Sequence, residues 1–220
     1  SYLAAMDLTI TGYTGRNAAP AVAYTDGEID AGGSGTIKVK AYADAAKTLP
    51  VLASTPITVT WADWDATPNG APAVGFSTSN VTVDALGEAT VTFTPSTKAG
   101  DNFRITAMGG SVTSNLATAI TVIANSNTVG SYVVVAPATA TAGTAFSMTS
   151  FHAYDAYGNF MSRYTNAVAA NLTVTGLSNS PLGGSPTYPS SVTFVLGVGT
   201  LDTTVTDRKS TRLNSSHVSQ

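Results

Sequence analysis

The 220-residue sequence contains no cysteine, which excludes disulfide bonds and thiolate metal sites and leaves core packing to hold the fold together. Charged residues make up 10% of the chain, far below the roughly 25% of ordinary globular domains. No apolar run approaches the roughly 18 residues that a membrane-spanning helix needs. Threonine, serine, alanine, valine and glycine are abundant instead, a composition that favours strands and turns over helices.

The C-terminal segment is set apart from the rest of the sequence. Residues 207–217 read D-R-K-S-T-R-L-N-S-S-H, which matches the translation of a common short-read sequencing adapter. We therefore expect residues 207–220 to be a non-native tail, and because the start lacks a methionine we expect a chain that is open at both ends. Without the tail, seven basic and twelve acidic residues remain, a net charge of −5. No basic patch is left that would bind nucleic acid.

The clearest strand pattern lies in residues 81–107, which predict three strands joined by two turns. Residues 84–87 and 98–101 carry the turn chemistry, and Pro95 closes the middle strand. Apolar residues occupy every second position of the strands, the period that buries one face of a sheet. These inward positions are Val81, Val83, Ala89, Val91, Phe93, Phe103, Ile105 and Ala107.

The same alternation recurs along the first 124 residues. About seven short strands separated by turn signals, with no helical periodicity, predict an all-β, two-sheet sandwich. The further strands have their inward residues at Leu8 and Ile10, at Ile37, Val39 and Ala41, at Ile57, Val59 and Trp61, and at Ile120, Val122 and Ala124.

A polar segment at residues 125–128 is interpreted as a linker, because a new alternating pattern begins after it with Tyr132 and Val134. A linker this short restricts the angle between its neighbours. We therefore expect two units placed end to end as a semi-rigid rod.

Motifs in both units point to one class of protein. The second unit carries A-G-T-A-F at 142–146, H-A-Y-D-A-Y-G-N at 152–159 and Y-T-N at 164–166. These resemble the A-G-x-x-F, A-x-D-x-x-G-N and Y-T-G pattern of bacterial immunoglobulin-like repeats. Residues 81–107 are similar to the D-x-x-G-x-A-T-V-x-F ending of the bacterial Ig-like families related to invasin and intimin. The resemblance implies tandem Ig-like β-sandwiches of Greek-key topology, found in surface adhesins and large extracellular proteins.

We predict one Ig-like sandwich in residues 1–125 and a second in residues 126–206. Residues 192–206 correspond to 81–94, and the tail begins where the first unit continues, so the second sandwich is expected to be truncated and to lack its last strands. Inward positions counted from Phe146 and from Asp155 conflict by one residue. That conflict predicts a β-bulge at residues 149–151 and turns His152 to solvent.

Four polar residues are candidate calcium ligands: Asp63, Asp65, Asn69 and Asp84. Their oxygen atoms suit a hard cation at the loop end of an extracellular sandwich. Their spacing departs from the helix-loop-helix calcium pattern, so turn capping by the same side chains is the competing interpretation.

Trp64, in a loop, is the candidate ligand-binding residue, because an exposed aromatic face can stack on a sugar. Trp61, Tyr154 and Tyr157 are further members of such a platform, although Trp61 alternates with Val59 and is expected in the core.

Asp155, Gly158 and Asn159 are assigned to a turn between strands. No catalytic residue and no cofactor is predicted, since His152 is the only histidine outside the tail and has no carboxylate beside it in a recognisable motif.

These features predict a non-enzymatic structural or adhesive fragment, a stalk or spacer of a bacterial or archaeal protein at the cell surface or secreted. The expected partners are neighbouring Ig-like repeats and a host or cell-surface glycan or protein, with neither nucleic acid nor membrane insertion. Two alternatives stay open. The chain is a glycan- or protein-binding module that uses the loop around Trp64 or the D-A-Y-G-N turn, or it supplies accessory domains of a large secreted hydrolase.

Overall fold

The computed structural model describes residues 2–65, 74–139, 141, 144–169, 189–202 and 204–206. All regular structure in these ranges is β-strand, so the predicted all-β fold class is confirmed. The described part of the chain holds no helix that is long and apolar enough to cross a membrane. Its strands are β1 (Ala5–Thr14), β2 (Glu28–Asp30), β3 (Ser34–Tyr42), β4 (Pro56–Asp63), β5 (Gly75–Phe76), β6 (Asn80–Thr82), β7 (Glu88–Thr94), β8 (Asn102–Gly109), β9 (Val112–Asn115), β10 (Ile120–Ile123), β11 (Val129–Val135), β12 (Ala145–Phe146), β13 (Ser150–Asp155), β14 (Asn166–Ala169), β15 (Ser191–Val195), β16 (Val198–Leu201) and β17 (Val205–Thr206).

Strands β1 to β10, the N-terminal unit, form two sheets. One sheet has the order β1-β3-β7-β5, and the other has the order β2-β10-β8-β4-β6 with β9 beside β8. An immunoglobulin sandwich pairs strands A-B-E-D in one sheet and C-F-G in the other. Here β1, β3, β7 and β5 take the first order, and β4, β8 and β10 take the second. The N-terminal unit therefore has the strand order of an Ig-like Greek-key sandwich.

The apolar side chains at the predicted alternating positions fill the space between these two sheets. Trp61 is half-buried against this core, and the rings of Phe93 and Phe103 meet edge to face with their centroids 6.0 Å apart. Residues from both sheets are at most 1% exposed: Ile37, Val39, Ala41, Val91 and Phe93 from one, and Ile57, Val59, Phe103, Ile105, Ala107, Ile120 and Val122 from the other.

Strands β11 to β17, the C-terminal unit, form a five-stranded sheet in the order β11-β13-β16-β15-β14 and a two-stranded sheet of β12 and β17. Their core is smaller, with Phe151 and Phe194 at its centre. The pairing of β11 with β13 repeats that of β1 with β3, and it places Tyr132 and Val134 where the N-terminal unit has Met6 and Leu8. Met6 and Leu8 are 4% and 7% exposed, whereas Tyr132 and Val134 are 42% and 38% exposed.

The β-bulge predicted at residues 149–151 is wrong. Phe146 belongs to β12, which pairs with β17 in a separate sheet, while Phe151 and Ala153 are buried members of β13. The two inward patterns conflict because the chain changes sheets between them. The register shift of this unit lies instead in β11, between Val129 and Ser131.

A buried carboxylate lies at the end of the N-terminal unit, next to the linker. Asp30, the last residue of β2, has no exposed surface, and its Oδ2 accepts hydrogen bonds from the backbone N–H and the hydroxyl of Ser126 at 3.3 and 3.4 Å. Its Oδ1 is buried with no hydrogen-bond partner. Burial raises the pKa of Asp30, and the hydrogen bonds from Tyr24 and Ser126 offset this only in part.

We expect Gly35→Ala to destabilise the N-terminal unit by about 2 kcal/mol through overpacking. Gly35 lies opposite Phe93 in the sheet, and a Cβ atom there would stand 2.3 Å from the Phe93 ring. Gly12→Ala in the adjoining strand is the matched control, because a Cβ atom at Gly12 meets nothing within 4 Å. Urea unfolding of both variants measures the difference. Equal midpoints for the two variants would contradict this account of Phe93 packing.

We expect Asp30→Asn to stabilise the folded chain at pH 7 by about 1 kcal/mol, because it removes a buried negative charge while the amide oxygen keeps the bonds from Ser126. The pKa of Asp30 is higher in the folded than in the unfolded state, so its contribution to stability is fully present below the unfolded value and is lost as pH rises through the folded one. The gain should therefore vanish in acid.

The matched control for this substitution is Asp155→Asn. Both oxygens of Asp155 accept N–H donors, so its amide variant loses an acceptor and should be destabilised. Thermal unfolding at pH 7 and at pH 3 separates the two cases, and a loss of stability in Asp30→Asn at pH 7 would refute the argument.

Candidate functional site

The structure does not bring the four candidate calcium ligands to one point. Asp63 ends β4 opposite Phe103, whereas Asp84 follows β6, which pairs with the other end of β4. The length of β4 separates them by roughly 20 Å. Asn69 lies outside the described residues. No group of three or more Asp, Glu or His side chains in those residues could hold a metal ion.

Two of these candidates, Asp63 and Asp84, accept backbone N–H groups of their own turns. Asp63 Oδ1 accepts the N–H of Asp65 at 3.0 Å. Asp84 Oδ1 accepts the N–H groups of Leu86 and Glu88 at 2.8 and 2.9 Å. This is the geometry of the competing interpretation, in which Asx side chains cap turns.

Trp64, the candidate ligand-binding residue, is 52% exposed directly after β4. The guanidinium of Arg104 lies 4.7 Å from the centroid of its ring, and Arg104 is held there by a hydrogen bond from its Nε to the carbonyl of Leu116. Tyr154 and Tyr157 belong to the C-terminal unit, whereas Trp64 follows a strand of the N-terminal unit. His152 packs edge-on against Phe160, 5.3 Å between centroids.

The most connected polar side chains outside the cores lie where the C-terminal unit meets the N-terminal unit, a region called here the joint. Its centre is Asp155, the last residue of β13 and 2% exposed. Asp155 Oδ1 accepts the N–H groups of Tyr157 and Asn159, both at 2.9 Å, which closes the predicted turn. Gly158 has a φ of 82°, a conformation that favours glycine. Asp155 Oδ2 accepts the N–H of Asn125 at 2.9 Å and so fixes the linker to the turn.

Asn159 extends from this turn to the N-terminal unit and binds it at two points. Its Oδ1 accepts the N–H of Ala99 at 2.9 Å, and its Nδ2 donates to the carbonyl of Thr97 at 2.8 Å. Both partners are backbone groups of the loop between β7 and β8. The same Nδ2 donates to Asp155 at 2.9 Å, so the amide is held from behind while it spans the joint.

An ion pair forms the second contact of the joint. Arg163 donates from its guanidinium to Glu28 Oε1 at 2.6 Å, and the two side chains are 16% and 15% exposed. Glu28 Oε2 also accepts the N–H of Thr25 at 2.7 Å. Burial opposes ionisation of Glu28, but the hydrogen bonds from Arg163 and Thr25 outweigh it and lower its pKa. A pair this enclosed is screened by solvent much less than a surface pair.

Close packing and the linker complete the joint. Tyr157 covers Gly32, where an added Cβ atom would stand 2.2 Å from the tyrosine oxygen. Asn125 Oδ1 accepts the N–H groups of Asn127 and Thr128, which curls the linker. Asn127 Nδ2 donates to the carbonyl of Gly15 at 2.9 Å. The linker is thus bound to both units along its length.

The turn role of Asp155 and Gly158 was predictable, but the docking roles of Asn159, Arg163, Glu28 and Gly32 were not. Their partners are separated from them by 60 residues or more along the chain, and no local pattern reports such contacts. Nothing in the sequence around Gly32 indicates that Tyr157 covers it.

No protein-family model matches the chain, and no curated protein matches it. Several solved structures are similar in arrangement. The adhesin FdeC of Escherichia coli is 19% identical over 94% of this chain and 58% of its own, with a TM-score of 0.47. A C-terminal 282-residue fragment of intimin, in complex with the intimin-binding domain of its translocated receptor Tir, is 14% identical over 70% of this chain and 45% of its own, with a TM-score of 0.38. Domains 5–6 of the S-layer protein SbsC are 16% identical over 96% of this chain and 86% of their own, with a TM-score of 0.34. The chain thus spans only part of the adhesin and intimin chains, and its Ig-like assignment rests on its own strand order and core.

Proposed function

We propose that the chain is a pair of tandem Ig-like domains, residues 1–125 and 126–206, from the stalk of a bacterial or archaeal protein that is secreted or held at the cell surface. The observation that carries this proposal is the joint, where Asn159 and Arg163 bind the second unit to the first. A spacer needs units that do not swing freely. Two hydrogen bonds between the side-chain amide of Asn159 and backbone groups of Thr97 and Ala99, together with an enclosed ion pair, supply that restraint.

The path of the chain supports the same function. β1 starts beside Tyr42 at one end of the N-terminal unit, and β10 ends at the opposite end, beside Asp30 and the linker. The chain therefore crosses the unit from end to end before it enters the next, which suits extension in one direction. The unit needs no cofactor for this role, and we propose no chemistry of its own.

The half-exposed Tyr132 and Val134 support the proposal that the second sandwich lacks its last strands. In the N-terminal unit, the core that buries the matching Met6 and Leu8 includes residues of β8 and β10. Strands equivalent to β8 and β10 would cover Tyr132 and Val134 in a complete second sandwich.

A binding module for a glycan or a protein is the second candidate function, and the exposed indole of Trp64 favours it. Arg104 already lies over that ring, so a ligand would share it with the guanidinium or displace it. Loss of glycan binding in Trp64→Ala, with no change in unfolding temperature, would identify that function.

We expect a narrow distance distribution between spin labels on the two units, since the joint fixes their angle. The chain has no native cysteine, so Thr90→Cys and Thr200→Cys give one exposed label site on each unit. Pulsed electron–electron double resonance should show a clearly broader distance distribution in Asn159→Ala and in Arg163→Met.

The matched controls make their hydrogen bonds within the N-terminal unit. Asn80 accepts a hydrogen bond from Thr58 within the N-terminal unit, and Arg104 binds Leu116 there. Asn80→Ala and Arg104→Met should therefore leave the distribution unchanged. If the distance distribution of the parent chain is as broad as that of Asn159→Ala, the proposal of a fixed joint is wrong.

The joint should also loosen in acid. Because the pKa of Glu28 is lowered in the folded state, its contribution is present above its ordinary value of 4.5 and is lost as pH falls through the folded value. The distance distribution should stay narrow at pH 6 and broaden toward pH 3. Glu28→Gln should remove this pH-dependent part. Equal broadening with pH in that variant would assign the effect to another group.

A further inference from the structure

Three of the most exposed large apolar side chains in the described residues lie at the end of the N-terminal unit opposite the joint. Leu49, Leu52 and Leu86 are 60%, 64% and 65% exposed. The first two belong to the connection between β3 and β4, and Leu86 to the turn between β6 and β7. The two segments touch, because a Cβ atom on Gly87 would lie 3.1 Å from Pro50 Cβ. This surface is called here the leucine end.

The leucine end has the same backbone frame as the end of the C-terminal unit that forms the joint. The Ala41 N–H donates to Gly87 O as the Ala153 N–H donates to Gly197 O, and the Val51 N–H donates to Ala41 O as the Met161 N–H donates to Ala153 O. The Ala43 N–H donates to Leu49 O at 2.8 Å, and the Asp155 N–H donates to Asn159 O at 2.9 Å. Isolated bridges join Tyr42 to Pro50 and Tyr154 to Phe160.

These matched bonds set the correspondence of side chains. Leu49 stands in the place of Asn159, and Leu52 and Ala53 stand in the places of Ser162 and Arg163. In the C-terminal unit, Asn159 and Arg163 are the residues that dock onto another β-sandwich. The N-terminal unit therefore exposes leucines where its neighbour makes its contacts with a preceding unit.

We propose that the leucine end is the docking surface for another β-sandwich unit, which precedes β1 in the same protein and presents an apolar end. This inference rests on the proposed function as a tandem stalk. The direction of the chain fits, since the N–H of Ala4 donates to Tyr42 O at 2.8 Å and brings the segment before β1 to the leucine end. The linker likewise reaches the matching end of the C-terminal unit, where the N–H of Asn125 donates to the carboxylate of Asp155.

The chemistry of the leucine end selects its occupant. A leucine in the place of Asn159 neither donates nor accepts a hydrogen bond, and alanine in the place of Arg163 has no charge for a carboxylate such as Glu28. A second copy of this chain is a poor occupant. Its matching end presents the polar groups that Asn159 and Arg163 already satisfy, and that end is covered by its own C-terminal unit. Leucines pressed on those groups would leave them unpaired.

Hydroxyl-radical footprinting of leucine side chains tests this inference. The chain as it stands is compared with a longer product of the same gene that includes the segment before residue 1. Leu49, Leu52 and Leu86 should oxidise readily in the first and lose most of that oxidation in the second. Leu196, 45% exposed in the turn of the C-terminal unit that matches Leu86, is the internal control and should oxidise equally in both.

Leu49→Ser with Leu52→Ser should broaden the distance distribution between the preceding unit and the N-terminal unit while leaving the joint at Asn159 narrow. Undiminished oxidation of the three leucines in the longer chain, or an upstream segment that is not a β-sandwich, would overturn the inference. A loose joint at Asn159 would instead count against the proposed function, so the two failures are distinguishable.

Discussion

Asp155 lies where three pieces of the chain meet, and the arrangement of the two units depends on how its carboxylate is satisfied. It receives backbone N–H groups from its own turn and from the linker, together with the side-chain amide of Asn159. A carboxylate that is 2% exposed is costly unless its oxygens are bonded, and both oxygens of Asp155 are. Those bonds can all be made only if the linker is curled and the turn is closed. The closed turn also directs Asn159 toward the N-terminal unit, so the bonds of this one carboxylate help to set where the C-terminal unit sits.

The two units differ in how much of their stability comes from their own hydrophobic core. The N-terminal unit buries a continuous core between two sheets, whereas the C-terminal unit leaves Tyr132 and Val134 about 40% exposed on the face that should be core. Apolar burial is the main favourable term in folding, at roughly 25 cal/mol per Å². A unit with less of it gains more, in proportion, from contacts with its neighbour. The joint therefore stabilises the fold of the C-terminal unit as well as its orientation. The bonds of the linker to both units contribute to both effects.

Local patterns in the sequence predicted the features that depend on neighbouring residues, but they did not predict those that depend on distant partners. The alternation of Ile37, Val39 and Ala41 determines a buried face within nine residues of one strand, and Asp155 with Gly158 closes a turn by bonds to its nearest neighbours. β2 escaped notice because its three residues are a strand only through parallel pairing with β10, some ninety positions away. The predicted bulge was wrong for the same reason: Phe146 pairs with β17, and no local count of inward positions reveals a change of sheet. The docking of Asn159 on residues 97 and 99 lies furthest from anything that spacing can predict.

A repeated backbone frame with different side chains has a consequence for how such units can be ordered. The frame that ends β3 and β13 is the same, so every unit built on it offers the same positions to a neighbour. Asparagine and arginine at those positions select an end rich in free backbone groups and a carboxylate, and leucines select an apolar one. If a polar end met a leucine end, its hydrogen-bonding groups would be buried without partners. Each unpaired group costs about 1–3 kcal/mol. In the stalk that we propose, the side chains at Leu49 and Asn159 would determine which unit follows which, while the shared frame would keep the direction of the chain the same.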